Sequence, residues 1–147
     1  MLTTVNQVAH LVDINSHLTH SPHELSGGQK QRVTLAGVMV DEIDILLFDE
    51  PLASLDPAAG LHTMTLIDDI HQKTGKTIVI IEHRLEDVLY KKVDRIVVVN
   101  QGEIIADMTP NQLLASTLLE EVGIREPLYV TALKYAGCQI TEDIHNR

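Results

Sequence analysis

Two short apolar segments dominate the pattern of hydrophobic and polar positions along the chain. Residues 43–48 and 77–82 are rich in aliphatic and β-branched side chains and are bounded by polar turns. Segments of this length and composition are typical of strands that are buried on both faces of a parallel sheet. Between them, Asp56 and Pro57 predict the start of a helix that ends near Gly75, because Asp caps helices and Pro suits their first position.

Helical periodicity and turn residues predict the remaining elements. A helix is expected from about Gly28 to Val40, with Val33, Ala36 and Val40 facing inward. Strands that alternate with helices predict an α/β fold with a parallel sheet. Further helices are expected at residues 1–13, 84–90 and 109–116 and from residue 126, and an antiparallel hairpin at residues 94–107 with its turn at 100–102.

The composition narrows the class of protein. The 147 residues include 21 Asp and Glu against 11 Lys and Arg, and this net charge of −10 argues against a nucleic-acid-binding face. The single cysteine, Cys138, cannot form an internal disulfide, which favours a reducing, cytosolic setting. No apolar run approaches the ~20 residues that span a membrane, so we expect no direct insertion and membrane association only through a partner.

Asp49 and Glu50, which follow the first apolar segment, are candidates for chemistry. The carboxyl end of a parallel strand is where α/β proteins bind ligands. A carboxylate at position 49 can hold the Mg²⁺ that bridges nucleotide phosphates, and Glu50 can orient or deprotonate an attacking water. The alternative is that these carboxylates are simply the solvated exit of a strand into a turn.

A second candidate site begins at Leu25, where the sequence is Leu-Ser-Gly-Gly-Gln-Lys-Gln-Arg. Ser26 suits the N-cap of the following helix, and the bare backbone of Gly27 and Gly28 would face outward at its positive end. Such a site binds phosphate oxygens, and glycine lets the anion approach closely. The alternative is an ordinary glycine-rich helix start.

The loop before this motif contains His17, His20 and His23. We expect no metal site there, because a loop lacks the regular geometry of metal-binding histidines and only Glu24 is near enough to support them.

Taken together, these motifs resemble those of ATP-binding-cassette (ABC) ATPases. Residues 25–32 are similar to the family's signature motif, and residues 45–50, Ile-Leu-Leu-Phe-Asp-Glu, are similar to its Walker B strand and catalytic glutamate. Residues 54–56, Ser-Leu-Asp, resemble its D-loop, and His83 resembles its switch histidine. The resemblance implies a P-loop NTPase fold that binds ATP and Mg²⁺. It implies catalytic roles for Glu50 and His83, Mg²⁺ at Asp49, and ATP contacts at Leu25, Ser26, Gly27, Gly28, Gln29 and Asp56.

One expected motif is missing, because no Gly-x-x-x-x-Gly-Lys-Ser/Thr phosphate loop occurs in the sequence. Residues 75–77, Gly-Lys-Thr, imitate its end, but Ile70 stands where the first glycine would be, and a strand follows where a helix should. We therefore expect the C-terminal part of an ATP-binding domain, inactive as an ATPase by itself because nothing cradles the β-phosphate. In that interpretation residues 1–40 are part of the helical subdomain, 41–116 the C-terminal part of the ATPase core, and 117–147 a helical extension or linker.

Two longer segments, residues 80–88 (Ile-Ile-Glu-His-Arg-Leu-Glu-Asp-Val) and 124–137 (Ile-Arg-Glu-Pro-Leu-Tyr-Val-Thr-Ala-Leu-Lys-Tyr-Ala-Gly), are similar to energy-coupling-factor ATPases of vitamin and cobalt uptake. That likeness implies ATP-driven solute import, with a second ATPase domain and a transmembrane subunit as partners, at the inner face of the cell membrane. The alternative is a non-catalytic module that donates its signature motif in trans to another cassette. ABC ATPases of DNA repair and chromosome structure are disfavoured by the negative charge and by the short distance between signature and Walker B.

Overall fold

The computed structural model describes residues 2–40, 43–138 and 140. Two compact units are present: unit 1 comprises Met1–Phe48 and Leu66–Val79, and unit 2 comprises Asp49–Thr65 and Ile80–Arg147. None of the described helices is long and apolar enough to cross a membrane. The α-helices are α1 (Leu2–Leu11), α2 (Gly27–Met39), α3 (Pro57–Thr74), α4 (Leu85–Val88), α5 (Pro110–Ala115), α6 (Leu118–Glu121) and α7 (Leu128–Tyr135); the strands are β1 (Ile45–Asp49), β2 (Thr77–Ile81), β3 (Ile96–Asn100) and β4 (Glu103–Met108).

The core of unit 1 is one apolar cluster to which α1, α2, α3 and β1 contribute. Its buried members are Val8, Ala9, Val12, Ile14, Met39, Leu46 and Ile70. The prediction for α2 was wrong at one position, because Val33 is 43% exposed whereas Ala36 and Val40 pack against the cluster. The packed face follows two rows of i, i+4 neighbours, Leu35 to Met39 and Ala36 to Val40, which places Val33 beyond its edge.

Strands β1 and β2 form a two-stranded parallel sheet. The Thr77 N–H donates to the Asp44 carbonyl at one end of the pair, and the Glu50 N–H donates to the Ile81 carbonyl at the other, both at 2.9 Å. The prediction of strands buried on both faces was wrong for β1, since Leu46 is buried but Ile45 and Leu47 are 62% and 64% exposed. In β2 the exposed residues likewise alternate with half-buried ones. In the part of the chain that is described, the core cluster covers only one face of this sheet.

Strands β3 and β4 form the predicted antiparallel hairpin, with Asn100 opposite Glu103. Its two connecting residues, Gln101 and Gly102, have φ angles of 50° and 82°, as a two-residue hairpin turn of the primed type requires. The inner side chain Val98 is 4% exposed and packs in the core of unit 2. The other buried members of that core are Leu89, Leu113, Leu114, Leu119 and Val130.

Candidate active site

Glu50 follows the last residue of β1 and has a strained backbone. Its φ angle is 45°, in the left-handed region that L side chains rarely adopt. The Glu50 N–H donates to the Ile81 carbonyl at 2.9 Å, and the Glu50 carbonyl accepts from the Ala53 N–H at 3.2 Å. The side chain is 56% exposed, so packing does not explain the strain. Strain of this kind persists only where the surroundings impose it, and it is concentrated at functional positions.

His83 lies two residues beyond β2 and faces the same end of the sheet. Its Nδ1 is 3.9 Å from Glu50 Oε1 and 3.4 Å from Glu82 Oε2, and 67% of its side chain is exposed. The structure therefore brings together two residues predicted to be catalytic, which are 33 positions apart in the sequence. Asp49, the predicted metal ligand, is the exposed last residue of β1, adjacent to Glu50 in the chain.

Glu82 is a buried carboxylate at this site whose role the sequence analysis did not recognise. Its side chain is 2% exposed. Oε1 accepts a hydrogen bond from the Leu52 N–H at 3.0 Å, and Oε2 accepts from the N–H groups of His83 and Arg84 at 2.9 and 3.3 Å. Backbone donors thus satisfy both oxygens, as a buried charge requires. The sign available in the sequence was a charged residue at the end of an apolar strand.

Arg84 binds the same turn from the other side of His83. Its Nη1 donates to the carbonyls of Leu52 and Leu55 at 2.8 and 3.2 Å, and its Nη2 pairs with Asp87 Oδ2 at 2.6 Å. Leu52 is fully buried, with no exposed surface. Both backbone groups of Leu52 are therefore bound by the two residues that flank His83.

Asp56 occupies the helix start that the sequence predicts. Its Oδ1 accepts from the Ala59 N–H at 3.0 Å in the first turn of α3, and its carbonyl accepts from the Gly60 N–H at 2.8 Å. The capping role is thus present, and the contact of Asp56 with ATP stays a prediction.

The Leu-Ser-Gly-Gly-Gln segment lies in unit 1, where Ser26 caps α2. Ser26 Oγ accepts from the Gln29 N–H at 3.3 Å, and Gln29 Oε1 accepts from the Ser26 N–H at 2.8 Å, which together form a capping box. A Cβ atom added to Gly27 or Gly28 would meet nothing within 4 Å, and neither glycine has a positive φ. Their own unit therefore does not require glycine at these positions.

Gln29 also contacts the histidine loop. His17 Nε2 is 3.0 Å from Gln29 Nε2, and His17 Nδ1 is 3.0 Å from His20 Nδ1. Because the capping box directs Gln29 Oε1 to the Ser26 N–H, the amide donates to His17 Nε2, and His17 donates from Nδ1 to His20. Within the described ranges, no group of three or more His, Cys, Asp or Glu is arranged to hold a metal ion.

Known proteins match both ends of the chain. The family described as ABC transporter matches residues 1–53, and the family described as ATP-binding cassette cobalt transporter matches residues 116–146. The chain belongs to the ABC transporter ATP-binding family. A Vibrio vulnificus protein named as an ABC transporter ATP-binding protein is 63% identical over 145 residues, 99% of this chain and 25% of that protein. A protein of the same description from Photobacterium profundum is 65% identical over 143 residues, 97% of this chain and 25% of that protein.

A solved ABC structure confirms the fold class. CbiO1 from Clostridium perfringens, described as part of the ABC transporter complex CbiONQ, superposes with a TM-score of 0.74 and 31% identity over 90% of this chain and 53% of that one. The α/β P-loop NTPase fold of ABC type, with its parallel sheet, is therefore confirmed. The chain spans about a quarter of the length of the curated ABC relatives that it matches. Both Ser26 and Glu50 lie in the segment that matches the ABC transporter family, and His83 lies outside both matched segments.

Proposed function

We propose that this chain is part of the ATPase subunit of an ABC importer of the energy-coupling-factor type, which couples ATP hydrolysis to solute uptake. The main support is the approach of His83 to Glu50 at the carboxyl ends of two neighbouring parallel strands, 3.9 Å apart. A general base and a residue that senses the transferred phosphate must lie this close to act on one phosphoryl group. The match of residues 116–146 to a cobalt transporter family supports the importer type.

In the proposed chemistry, Glu50 orients or deprotonates the water that attacks the γ-phosphate, and His83 contacts that phosphate. Asp49 would be one ligand of Mg²⁺, a cation that prefers carboxylate, water and phosphate oxygens. The fit is reasonable, because the Asp49 side chain is exposed at the strand end. Bound Mg²⁺ would offset the negative charge that develops on the phosphate oxygens.

The signature segment is proposed to bind the ATP of a second ATPase domain. The N-terminus of α2 is positive, and the open space around Gly27 and Gly28 would let phosphate oxygens approach the backbone. Leu25, Ser26 and Gln29 complete this surface, and Asp56 would contact the same nucleotide through the D-loop. ATP would then be bound between two domains, each of which supplies one half of the site.

The three-part organisation is also part of the proposal. Residues 1–40 would belong to the helical subdomain, 41–116 to the ATPase core, and 117–147 to a helical extension or linker. The partners would be a second ATPase domain and a transmembrane subunit, which would hold the protein at the inner face of the cell membrane. CbiO1, the solved relative, is described as part of a transporter complex.

The test is ATP hydrolysis by a fusion of this chain to an upstream half of an ABC ATP-binding domain that supplies the phosphate loop. We expect the fusion to hydrolyse ATP, and Glu50→Gln to lower kcat about 10²-fold or more, because it removes the general base. Glu103→Gln, a change of the same kind at an exposed hairpin position, should leave kcat unchanged. Full activity of the Glu50→Gln fusion would refute the assignment of Glu50.

A non-catalytic role is the alternative, in which the chain donates its signature motif in trans and does not hydrolyse ATP itself. It is favoured by the sequence, which has no phosphate loop, and by the open backbone at Gly27 and Gly28. The chain alone should then stimulate a separate complete cassette, and Ser26→Arg should remove the stimulation. A cassette whose rate stays constant as the chain is added to saturation would rule this role out.

A further inference from the structure

We infer that Glu82 and Arg84 are positioning residues that lock residues 50–55 to the loop of His83 through the backbone of Leu52. This inference rests on the proposed function for the roles of Glu50, His83 and the D-loop, and on the geometry alone for the lock itself. Leu52 is the point of attachment, since Glu82 accepts from its N–H and Arg84 donates to its carbonyl.

The contacts specify a carboxylate at position 82. Oε1 is directed at the Leu52 N–H and Oε2 at the N–H groups of His83 and Arg84, so both oxygens act only as acceptors. A glutamine has one acceptor and one donor, so it could keep the bond to Leu52 or the bonds to the histidine loop, but not both. Since the side chain is 2% exposed, water cannot readily replace the lost partner.

The contacts likewise specify a guanidinium at position 84. One nitrogen serves two carbonyls, those of Leu52 and Leu55, and the other binds Asp87. The ammonium of a lysine is a single compact centre and cannot reach both ends of this arrangement. A Cβ atom on Gly60 would lie 3.7 Å from Arg84 Nη2, so the guanidinium packs closely against the first turns of α3.

The position of Leu52 explains what the lock controls. It lies two residues after Glu50 and two before Ser54, which begins the D-loop segment. A shift of the His83 loop would therefore move the Leu52 peptide, and with it both the candidate general base and residues 54–56. Glu82 and Arg84 would thus couple the residue that contacts the phosphate to the segment that faces the second domain.

Backbone amide exchange, measured by NMR on the full chain without nucleotide, tests the lock. Glu82→Gln keeps the size of the side chain, so a role in filling space predicts no change. Loss of one buried acceptor predicts exchange at the Leu52 amide or at the His83 and Arg84 amides that is faster by about tenfold. The amides of Val98 and Leu113, which lie in the hairpin and in α5, should exchange at the wild-type rate and report an intact fold.

Arg84→Lys provides a second variant that retains the positive charge, for use if Glu82→Gln does not fold. It should loosen the turn, with faster exchange at the amides of Ala53 and Leu55, while the exposed change Arg95→Lys should not. Unchanged exchange across residues 50–55 in a folded variant of either kind would overturn the inference. Because no ATP is hydrolysed in this experiment, its failure is distinct from failure of the Glu50→Gln assay.

Discussion

Glu50→Gly is predicted to stabilise the chain and at the same time abolish the proposed catalysis. The φ of 45° costs an L residue about 1–2 kcal/mol, and glycine avoids this cost. Glycine loses about 0.5–1 kcal/mol more conformational entropy on folding, so the net gain is about 0.5–1 kcal/mol. The exposed contact between Glu50 and His83, at 3.9 Å, offsets little of this gain because water screens it.

Urea unfolding of wild type, Glu50→Gly and Glu50→Gln measures this gain. Gln101→Gly is the matched control, because Gln101 has a φ of 50° in a hairpin turn with no proposed catalytic role. Both glycine variants should unfold at higher urea, and Glu50→Gln should match wild type. If Gln101→Gly stabilises the chain and Glu50→Gly destabilises it by about 1 kcal/mol or more, the side chain of Glu50 supports the fold, and the strain argument is refuted.

Three further predictions concern the rest of unit 2 and the sheet. Leu52→Ala should cost about 2–4 kcal/mol in urea unfolding, whereas Leu47→Ala, 64% exposed, should cost less than about 0.5; equal losses would contradict the burial pattern. The hydrogen bond and charge of Arg95 hold the pKa of Asp107 below its usual value of 3.8. Its contribution to stability is therefore present above that value and lost as the pH falls through the folded pKa, a loss that Asp107→Asn should remove from urea titrations between about pH 6 and 2. In the ATPase fusion, Glu82→Gln should lower kcat about tenfold and leave KM for ATP within about twofold; a rise in KM alone would indicate a binding role.

The sequence predicted most elements because their local patterns are strong. Asp56 and Pro57, Thr109 and Pro110, and the hairpin turn at residues 101–102 each specify a boundary through one capping or turn interaction. Burial was predicted less well, since it depends on what covers each face. Ile45 and Leu47 belong to an apolar strand whose second face has no cover among the described residues.

The candidate site shows the same division. Asp49, Glu50 and His83 were recognisable because each follows an apolar strand, where α/β proteins place ligand-binding residues. The roles of Glu82 and Arg84 were not, because their partners are backbone groups of Leu52 and Leu55, about 30 residues earlier in the chain. Side chains leave a motif in a sequence, whereas backbone acceptors and donors do not.

Mixing two inactive fusion proteins tests the central claim, that the chain supplies Glu50 to its own site and the signature motif to its neighbour's. One protein contains Glu50→Gln and the other contains Ser26→Arg. In the mixed dimer, the second protein's Glu50 and the first protein's signature motif complete one site. At a 1:1 ratio we predict roughly a quarter of wild-type ATPase activity, since half of the dimers are mixed and each has one intact site of two. No recovery of activity, with mixed dimers shown to form, would contradict the account.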